Sequence, residues 1–415
     1  YSQEEVWRVV RRSKPYKAPG LDMICGKLLD VLCEELLPHL AELYNVGLTL
    51  GYFARPWKGD LEVVLGKPGK KDYKLYKAYR MLSLTNEMGK DQEYLAVRRF
   101  NWRAKNQAWL HPSQFGFRSG RSVNMAMGGI VAPVENAISR RRAVLLMVFD
   151  VEGAFNKSWH PTLYEGLAQR GCPLGLFCQV ASFLQDRKCQ LKVQDRIKED
   201  EAERLGEFTP GAYADDNWNL QGGNPDHLGA LVQCGGEILV ELFRWCEEEA
   251  KIAYSKDKLE VIGFTTAKEK RVGGKDVKFP DMVLDCPNMP QWHNHRVVVQ
   301  RELEMLGFVL DRKLSWTAHV SKRVEKVCLL LACLQMCVRR TWGLKPRVVT
   351  LLWKGAVEPI LLNGVVVWAA ALKRKGVVKA LRGAQRMAAL AKTRCFKTTS
   401  TEAVLALAGM PPIDM

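Results

Sequence analysis

Residues 143–150 read AVLLMVFD, a run that stays apolar for seven positions and then stops at an aspartate. A strand without alternation has no solvent face, so this segment belongs at the centre of a sheet covered on both sides. Its carboxylate, Asp150, then falls at the end of that sheet. A helix-like run, HPTLYEGLAQRG (160–171), follows closely, with Gly171 and Pro173 as stop signals. KCQLKVQ (188–194) puts Cys189, Leu191 and Val193 on one face, the period of a further strand. AYADDNWNL (212–220) holds Asp215 and Asp216 between apolar flanks. With Gly222 and Gly223 behind it, it predicts a hairpin with the aspartates at its turn. Asn224 and Pro225 supply a cap and a first-turn proline for a helix running, with a glycine interruption, to about residue 251.

The first hundred residues read as short helices mixed with loops. CGKLLDVLCEELLPHLAELYNVGL (25–48) has helical spacing, and LEVVLGKPGKKDYK (61–74) is a short strand entering a lysine-dense turn. KAYRMLSLTNEMGK (77–90) predicts an extended or loop segment carrying Arg80. The last third reads as mostly helical: Val324, Val327, Leu331, Leu334 and Val338 recur at steps of three and four, beside Lys322, Arg323, Lys326, Arg339 and Arg340. Cys333 and Cys337 share a helix face there and are expected as small apolar core residues. The twelve cysteines include no CxxC pair, and Cys286, His293 and His295 lack a fourth zinc partner at a recognisable spacing. The apolar run 351–372 is broken by Lys354, Glu358 and Pro359, so no membrane span is expected. With no signal-peptide pattern at the start, the expected setting is intracellular and reducing.

The 415 residues carry 62 basic and 45 acidic side chains, a net charge of +17, which suits a polyanion such as nucleic acid or an anionic membrane surface. If the strand ending at Asp150 and the Asp215-Asp216 hairpin share a sheet, three carboxylates meet at one edge. Their repulsion requires a cation. Hard oxygen donors open to a phosphate-bearing substrate suit magnesium, and two such ions serve an in-line displacement on phosphorus. Taken alone, the YADD tract favours a solvated turn, as adjacent aspartates usually do.

Further tracts in order along the chain complete the picture: KAPGLD (17–22), YRMLSLTNEMGK (79–90), QFGFRSGRS (114–122), FDVEGAFNKSWHPTL (149–163), FLQDRKCQLKV (183–193), AYADDNWNL and YSKDKLEVIGF (254–264). LGFVLDRKLSWTAHV (306–320), WGLKP (342–346) and TTSTEAVLALAG (398–409) extend the set almost to the end. Together they resemble the reverse transcriptase of non-LTR (LINE-type) retrotransposons, an RNA-directed DNA polymerase. The resemblance implies an α+β right-hand polymerase with an antiparallel palm sheet. It places fingers and the start of the palm in 1–142, the palm in 143–264 and a helical thumb or connection region in 265–415. It implies two magnesium ions held by Asp150, the Val151 carbonyl, Asp215 and Asp216, with Lys258 protonating the leaving pyrophosphate. Phe155 would lie under the incoming sugar, Lys67 and Arg80 would grip the triphosphate, and Gly116, Phe117 and Arg118 would line the template path. Partners implied are an RNA template, a DNA primer and dNTPs, in the nucleus or cytoplasm, without a membrane. Target nicking by an endonuclease would come from another segment or protein.

The chain departs from the family between 194 and 211, where only QDRIKEDEAERLGEFTPG stands in place of a Pro-Gln-Gly-Ser block and a palm helix. It also reads Arg80-Met81-Leu82-Ser83 where relatives usually have Arg-Pro-Ile-Ser, and Asp22-Met23 where they have Asp-Gly. Two readings stay open: a working polymerase module, or an inactive polymerase fold retained to bind nucleic acid.

Overall fold

The computed structural model describes residues 1–69, 72–74, 78–151, 158–193, 196–198, 216–265, 271–272, 275–276, 279–286, 289–338 and 343–414. The chain forms two compact units, each assembled from separated stretches. Seven of the described strands, with a short strand at Val299–Gln300, make two four-stranded sheets. They are β1 (Gly59–Gly66), β2 (Tyr79–Leu84), β3 (Ala143–Asp150), β4 (Lys188–Val193), β5 (Arg196–Lys198), β6 (Asp216–Gly223) and β7 (Glu260–Phe264).

The first unit takes Tyr1–Ser119, Val151–Tyr213 and Trp245–Ala253. Its sheet has the order β2-β1-β4-β5, with β2 antiparallel and β4 parallel to β1. Its apolar cluster draws Val6, Val9, Leu29, Leu40, Tyr44, Trp57 and Leu95 from separate helices and turns. Two of those helices are long, Cys33–Leu50 and Glu87–Asn106. The second corrects the expectation of an extended or loop segment, which holds only through β2. The pattern hid it because its buried positions include Glu87, Asp91 and Gln92 beside Leu95 and Ala96. A helix with polar groups on its inner face shows little apolar periodicity.

The second unit takes Gly120–Asp150, Ala214–Arg244 and Tyr254–Met415. Every residue of β3 is buried, as the sequence predicts. β6 and β7 flank it, both antiparallel, and Val299–Gln300 runs parallel to β7 at the edge. Val144, Leu146 and Val148 enter one apolar cluster with the helix Val123–Ser139, while Ala143, Leu145, Met147 and Phe149 enter a second with the helix Leu228–Trp245. That helix passes through its glycines without a break. Gly235 lies so close to the sheet that a Cβ there would come within 2.8 Å of Leu145 Cδ2.

The region after 265 is not helical from its start. Short strands occupy the described parts of 271–311, including a hairpin of Glu302–Met305 with Phe308–Asp311. Leu303 and Met305 face Leu310 and Phe308 across it, a period of two. Leu306 and Gly307 both adopt positive φ at the two-residue turn. Helices begin at Thr317–Met336, where Val327 and Leu331 are buried as expected. Cys333 and Cys337 are instead exposed. Cys333 lies roughly 200° round the helix from Leu331, so its face is the outer one. Among the described residues no single helix is long and apolar enough to cross a membrane. Pro346–Leu361 and Val365–Lys373 form a pair bent by 48°, with Trp353, Val357, Leu361 and Trp368 buried in the same core.

Candidate active site

Register, rather than sequence proximity, assembles the site in the second unit. β3 pairs with β6 so that the Cα of Asp150 lies directly opposite that of Asp216. On the other side, Val148 faces Glu260 of β7, which brings the turn before β7 level with Asp150. That turn, Lys256–Lys258, carries Lys258, and its ammonium donates to Asp150 Oδ2 as an ion pair. The Ser255 N–H donates to the Asp150 carbonyl at 2.9 Å, so both the backbone and the carboxylate of Asp150 are held from the same segment. Tyr254 packs edge-on against Phe149 at 5.1 Å and lies 4.8 Å from Phe243. Sequence reasoning singled out neither Ser255 nor Tyr254. Ser255 acts through its main chain, which leaves no trace in residue type.

The carboxylate of Asp150 is buried and the Lys258 side chain is largely exposed. A charge buried at a strand end needs a partner, and an exposed ammonium can bring its charge with little desolvation. Asp216 is placed here by its backbone. Asp215 and Phe155 lie outside the described residues, as does the first arm of the expected hairpin; the arm that is described, β6, begins at Asp216. Val151 follows Asp150 and is half-buried.

The other predicted residues lie in the first unit, where Lys67 and Arg80 sit on the β1–β2 ribbon. Leu65 faces Arg80 and Gly66 faces Tyr79, and one step on the Lys67 N–H donates to the Ala78 carbonyl at 2.7 Å. This places Lys67 and Arg80 on one face of the ribbon as diagonal neighbours. Tyr73 braces the turn, its hydroxyl donating to the Lys67 carbonyl at 2.9 Å. Gly116, Phe117 and Arg118 occupy a loop. Phe117 adopts a positive φ of 56°, and Arg118 Nη1 donates to the carbonyls of His111 at 2.9 Å and Gln114 at 3.2 Å. Arg118 therefore fixes the shape of its own loop.

Cys286 is buried, His293 pairs with Asp285 at 2.7 Å, and His295 packs edge-on against Trp292. Among the described residues no three His, Cys, Asp or Glu side chains are grouped to hold a metal ion.

Residues 67–207 match the family model for reverse transcriptase (RNA-dependent DNA polymerase). The match takes in Lys67, Arg80, Gly116 to Arg118, Asp150, Val151 and Phe155, and ends before Asp215, Asp216 and Lys258. The chain is 26% identical to the putative 115 kDa protein in type-1 retrotransposable element R1DM of Drosophila melanogaster, over 99% of this chain and 40% of that protein. It is 23% identical to the probable RNA-directed DNA polymerase from transposon BS and 25% identical to that from mobile element jockey of the same organism. Each alignment covers 89% of this chain and 42% of the relative. The chain spans about two-fifths of the length of these relatives. It thus carries a reverse transcriptase region and is a relative of the RNA-directed DNA polymerases of non-LTR retrotransposons.

Proposed function

We propose that this chain is the polymerase module of a non-LTR retrotransposon protein, adding nucleotides from dNTPs to a DNA primer on an RNA template. The observation that carries this reading is the register that sets Asp150 opposite Asp216 at the carboxyl-terminal end of a fully buried strand, with Lys258 against it. In the reaction the primer 3′-oxygen bonds to the α-phosphorus and the bond to the β-phosphate oxygen breaks. The hydroxyl proton is lost, and pyrophosphate leaves.

Carboxylate and carbonyl oxygens are the donor type that a hard divalent cation takes, which supports this reading. Asp150 offers carboxylate oxygens at a strand end, its only described cationic partner being a lysine on a turn. Asp150, the Val151 carbonyl, Asp215 and Asp216 would hold two magnesium ions, which when bound supply charge neutralisation to the displacement. Lys258 holds a proton on Nζ beside Asp150 and gives it to the departing pyrophosphate. Lys67 and Arg80, on one face of their ribbon, take the triphosphate charge. Phe155 closes under the sugar and selects dNTPs, and Gly116, Phe117 and Arg118 line the template path. Basic residues on the helices after 317 grip the duplex backbone as a thumb, with fingers in 1–142 and palm in 143–264. The endonuclease step belongs to another segment or protein, and the retroelement setting is the nucleus or cytoplasm.

The second reading, an inactive fold that binds nucleic acid, draws on the short interval between β5 and β6, only residues 199–215. Primer extension on an RNA template with dNTPs and magnesium decides between them. Extension by the chain, lost in Asp150→Asn, Asp215→Ala and Asp216→Ala, supports the polymerase. Synthesis that is absent, or indifferent to these aspartates, overturns it, and retained RNA affinity then favours the binding protein.

A further inference from the structure

We propose that the carboxyl-terminal half of the helix Glu87–Asn106 is a docking face for single-stranded RNA, with the Trp102 indole as its stacking platform. The proposal rests on the polymerase reading and deepens it by naming a second place on the chain that holds the RNA. Trp102 is 63% exposed although it sits inside a regular helix. Arg98 and Lys105 are exposed on the same face, four residues before it and three after, and Asn101 beside it is exposed as well. Neither Arg98 nor Lys105 has a hydrogen bond or ion pair among the described residues. They stand about 10 Å apart along the helix axis, one on each side of the indole.

The sequence that carries this face is rich in cations and free of acids. No acidic residue occurs between Glu93 and Glu135, while Arg98, Arg99, Arg103, Lys105 and Arg118 all fall within the first unit. Glu5, which reaches this helix, is bound to Arg99 at 2.8 Å. Arg170 adds a further cation, donating to the Trp109 carbonyl at 3.5 Å. Single strands offer what this surface can use: an unstacked base for the indole and phosphates for the flanking cations. A duplex keeps its base faces stacked and gains only the charge contact. A helix lying on a membrane needs a broad apolar face. Here Trp102 shares its exposed side with two cations, and Val97 is the other exposed apolar residue of this half.

The test measures fluorescence anisotropy of a labelled single-stranded oligouridine RNA with the full chain, in EDTA so that polymerisation plays no part. Trp102→Ala is expected to weaken binding about tenfold, and Trp102→Phe to retain most of it. Arg98→Gln with Lys105→Gln is expected to reduce the slope of log affinity against log salt by about 1.4. Duplex RNA should bind Trp102→Ala as it binds the unaltered chain. The proposal is overturned if Trp102→Ala binds single strands unchanged, if it loses single strands and duplex equally, or if anionic vesicles compete as well as RNA. These outcomes are separable from failure of the polymerase reading, because they are read as RNA binding in EDTA, whereas that reading stands or falls on primer extension with magnesium.

Discussion

The two units bury different chemistry. In the first, the interior includes Asp60, Glu62, Glu87, Asp91, Gln92 and Gln179 among its apolar residues. Glu87 is satisfied by the Ser13 hydroxyl and by Lys90 at 2.9 Å. Asp60 meets Arg187 at 2.6 Å with both side chains buried, and the guanidinium lies 4.5 Å from the Phe183 ring. In the second, β3 is enclosed by apolar residues on both faces, and His319 and Gln385 are the buried polar groups after residue 265 among those described. The difference teaches how each unit is held. Interdigitated apolar side chains fix the register that presents Asp150, whereas the first unit depends on polar groups finding each other. The first is therefore the more sensitive to loss of a single partner.

The largest expected effect follows from Asp60 and Arg187. Arg187→Ala strands a carboxylate in the interior between β1 and β4 and should destabilise the first unit by about 3–5 kcal/mol. The pair is imperfectly satisfied: Asp60 Oδ1 and Arg187 Nε and Nη1 have no partner among the described residues. Replacing both together, Asp60→Leu with Arg187→Met, should recover most of the loss. Urea unfolding of the three variants checks this, and a double variant as weak as Arg187→Ala would break the contrast between the units. Next in size is Leu146→Ala at the centre of β3, expected to cost about 3 kcal/mol through lost burial and a cavity. If that cost falls below about 1 kcal/mol, the second unit is not the tightly packed scaffold described above.

A change of pH between about 4 and 7 should move the stabilities of the two units in opposite directions. Burial, with Glu87 nearby, pushes the Asp91 carboxyl up to about 7 against the pull of Arg12 and Lys90. Folded Asp91 keeps a proton that the unfolded chain has lost, so its stabilising contribution is present below about pH 4 and lost as pH rises through 7. His319 behaves in the opposite sense. Burial, with Arg323 nearby, lowers it to about 4 against the pull of Glu304. Its neutral ring accepts from the Val309 N–H at 3.2 Å and stacks on Phe308. The stability it gives is present above about 6.5 and lost as pH falls towards 4. Hydrogen exchange resolved by segment should show the first unit loosening as pH rises from about 4 to 7, and the second loosening as pH falls from about 6.5 to 4. Asp91→Asn should flatten the first trend and His319→Gln the second; parallel trends in both units would refute the assignment.

The same contrast explains what was legible in the sequence. β3 could be read from its residues because an unbroken apolar run admits few placements, and Asp150 at its end followed directly. Its partners Asp216 and Lys258 were legible only as a conditional pairing and through the family resemblance, since they reach it through pairings between strands far apart in the chain. The helix Glu87–Asn106 escaped notice for the reason that makes its unit polar: Glu87, Asp91 and Gln92 occupy positions where the pattern expects apolar residues. Cys333 and Cys337 show the limit of periodicity from the other side. Spacing puts two residues on one helix face without saying which face is covered.

The smallest prediction tests whether the contrast is confined to the interiors. Ser2 caps the helix Gln3–Val10 in the first unit, accepting from the Glu5 N–H at 3.2 Å while Glu5 accepts from the Ser2 N–H at 3.0 Å. Ser122 caps the helix Val123–Ser139 in the second, accepting from the Met125 N–H at 3.3 Å. Both caps are exposed, so water competes for the freed donors in the same way, whatever lies beneath. Ser2→Ala and Ser122→Ala should each cost about 1 kcal/mol, read from the urea midpoint at constant slope. Equal costs keep the difference between the units in their cores. A much larger cost at Ser2 would mean that the capping box also holds Glu5 in place for Arg99, extending the first unit's dependence on polar contacts out to its surface.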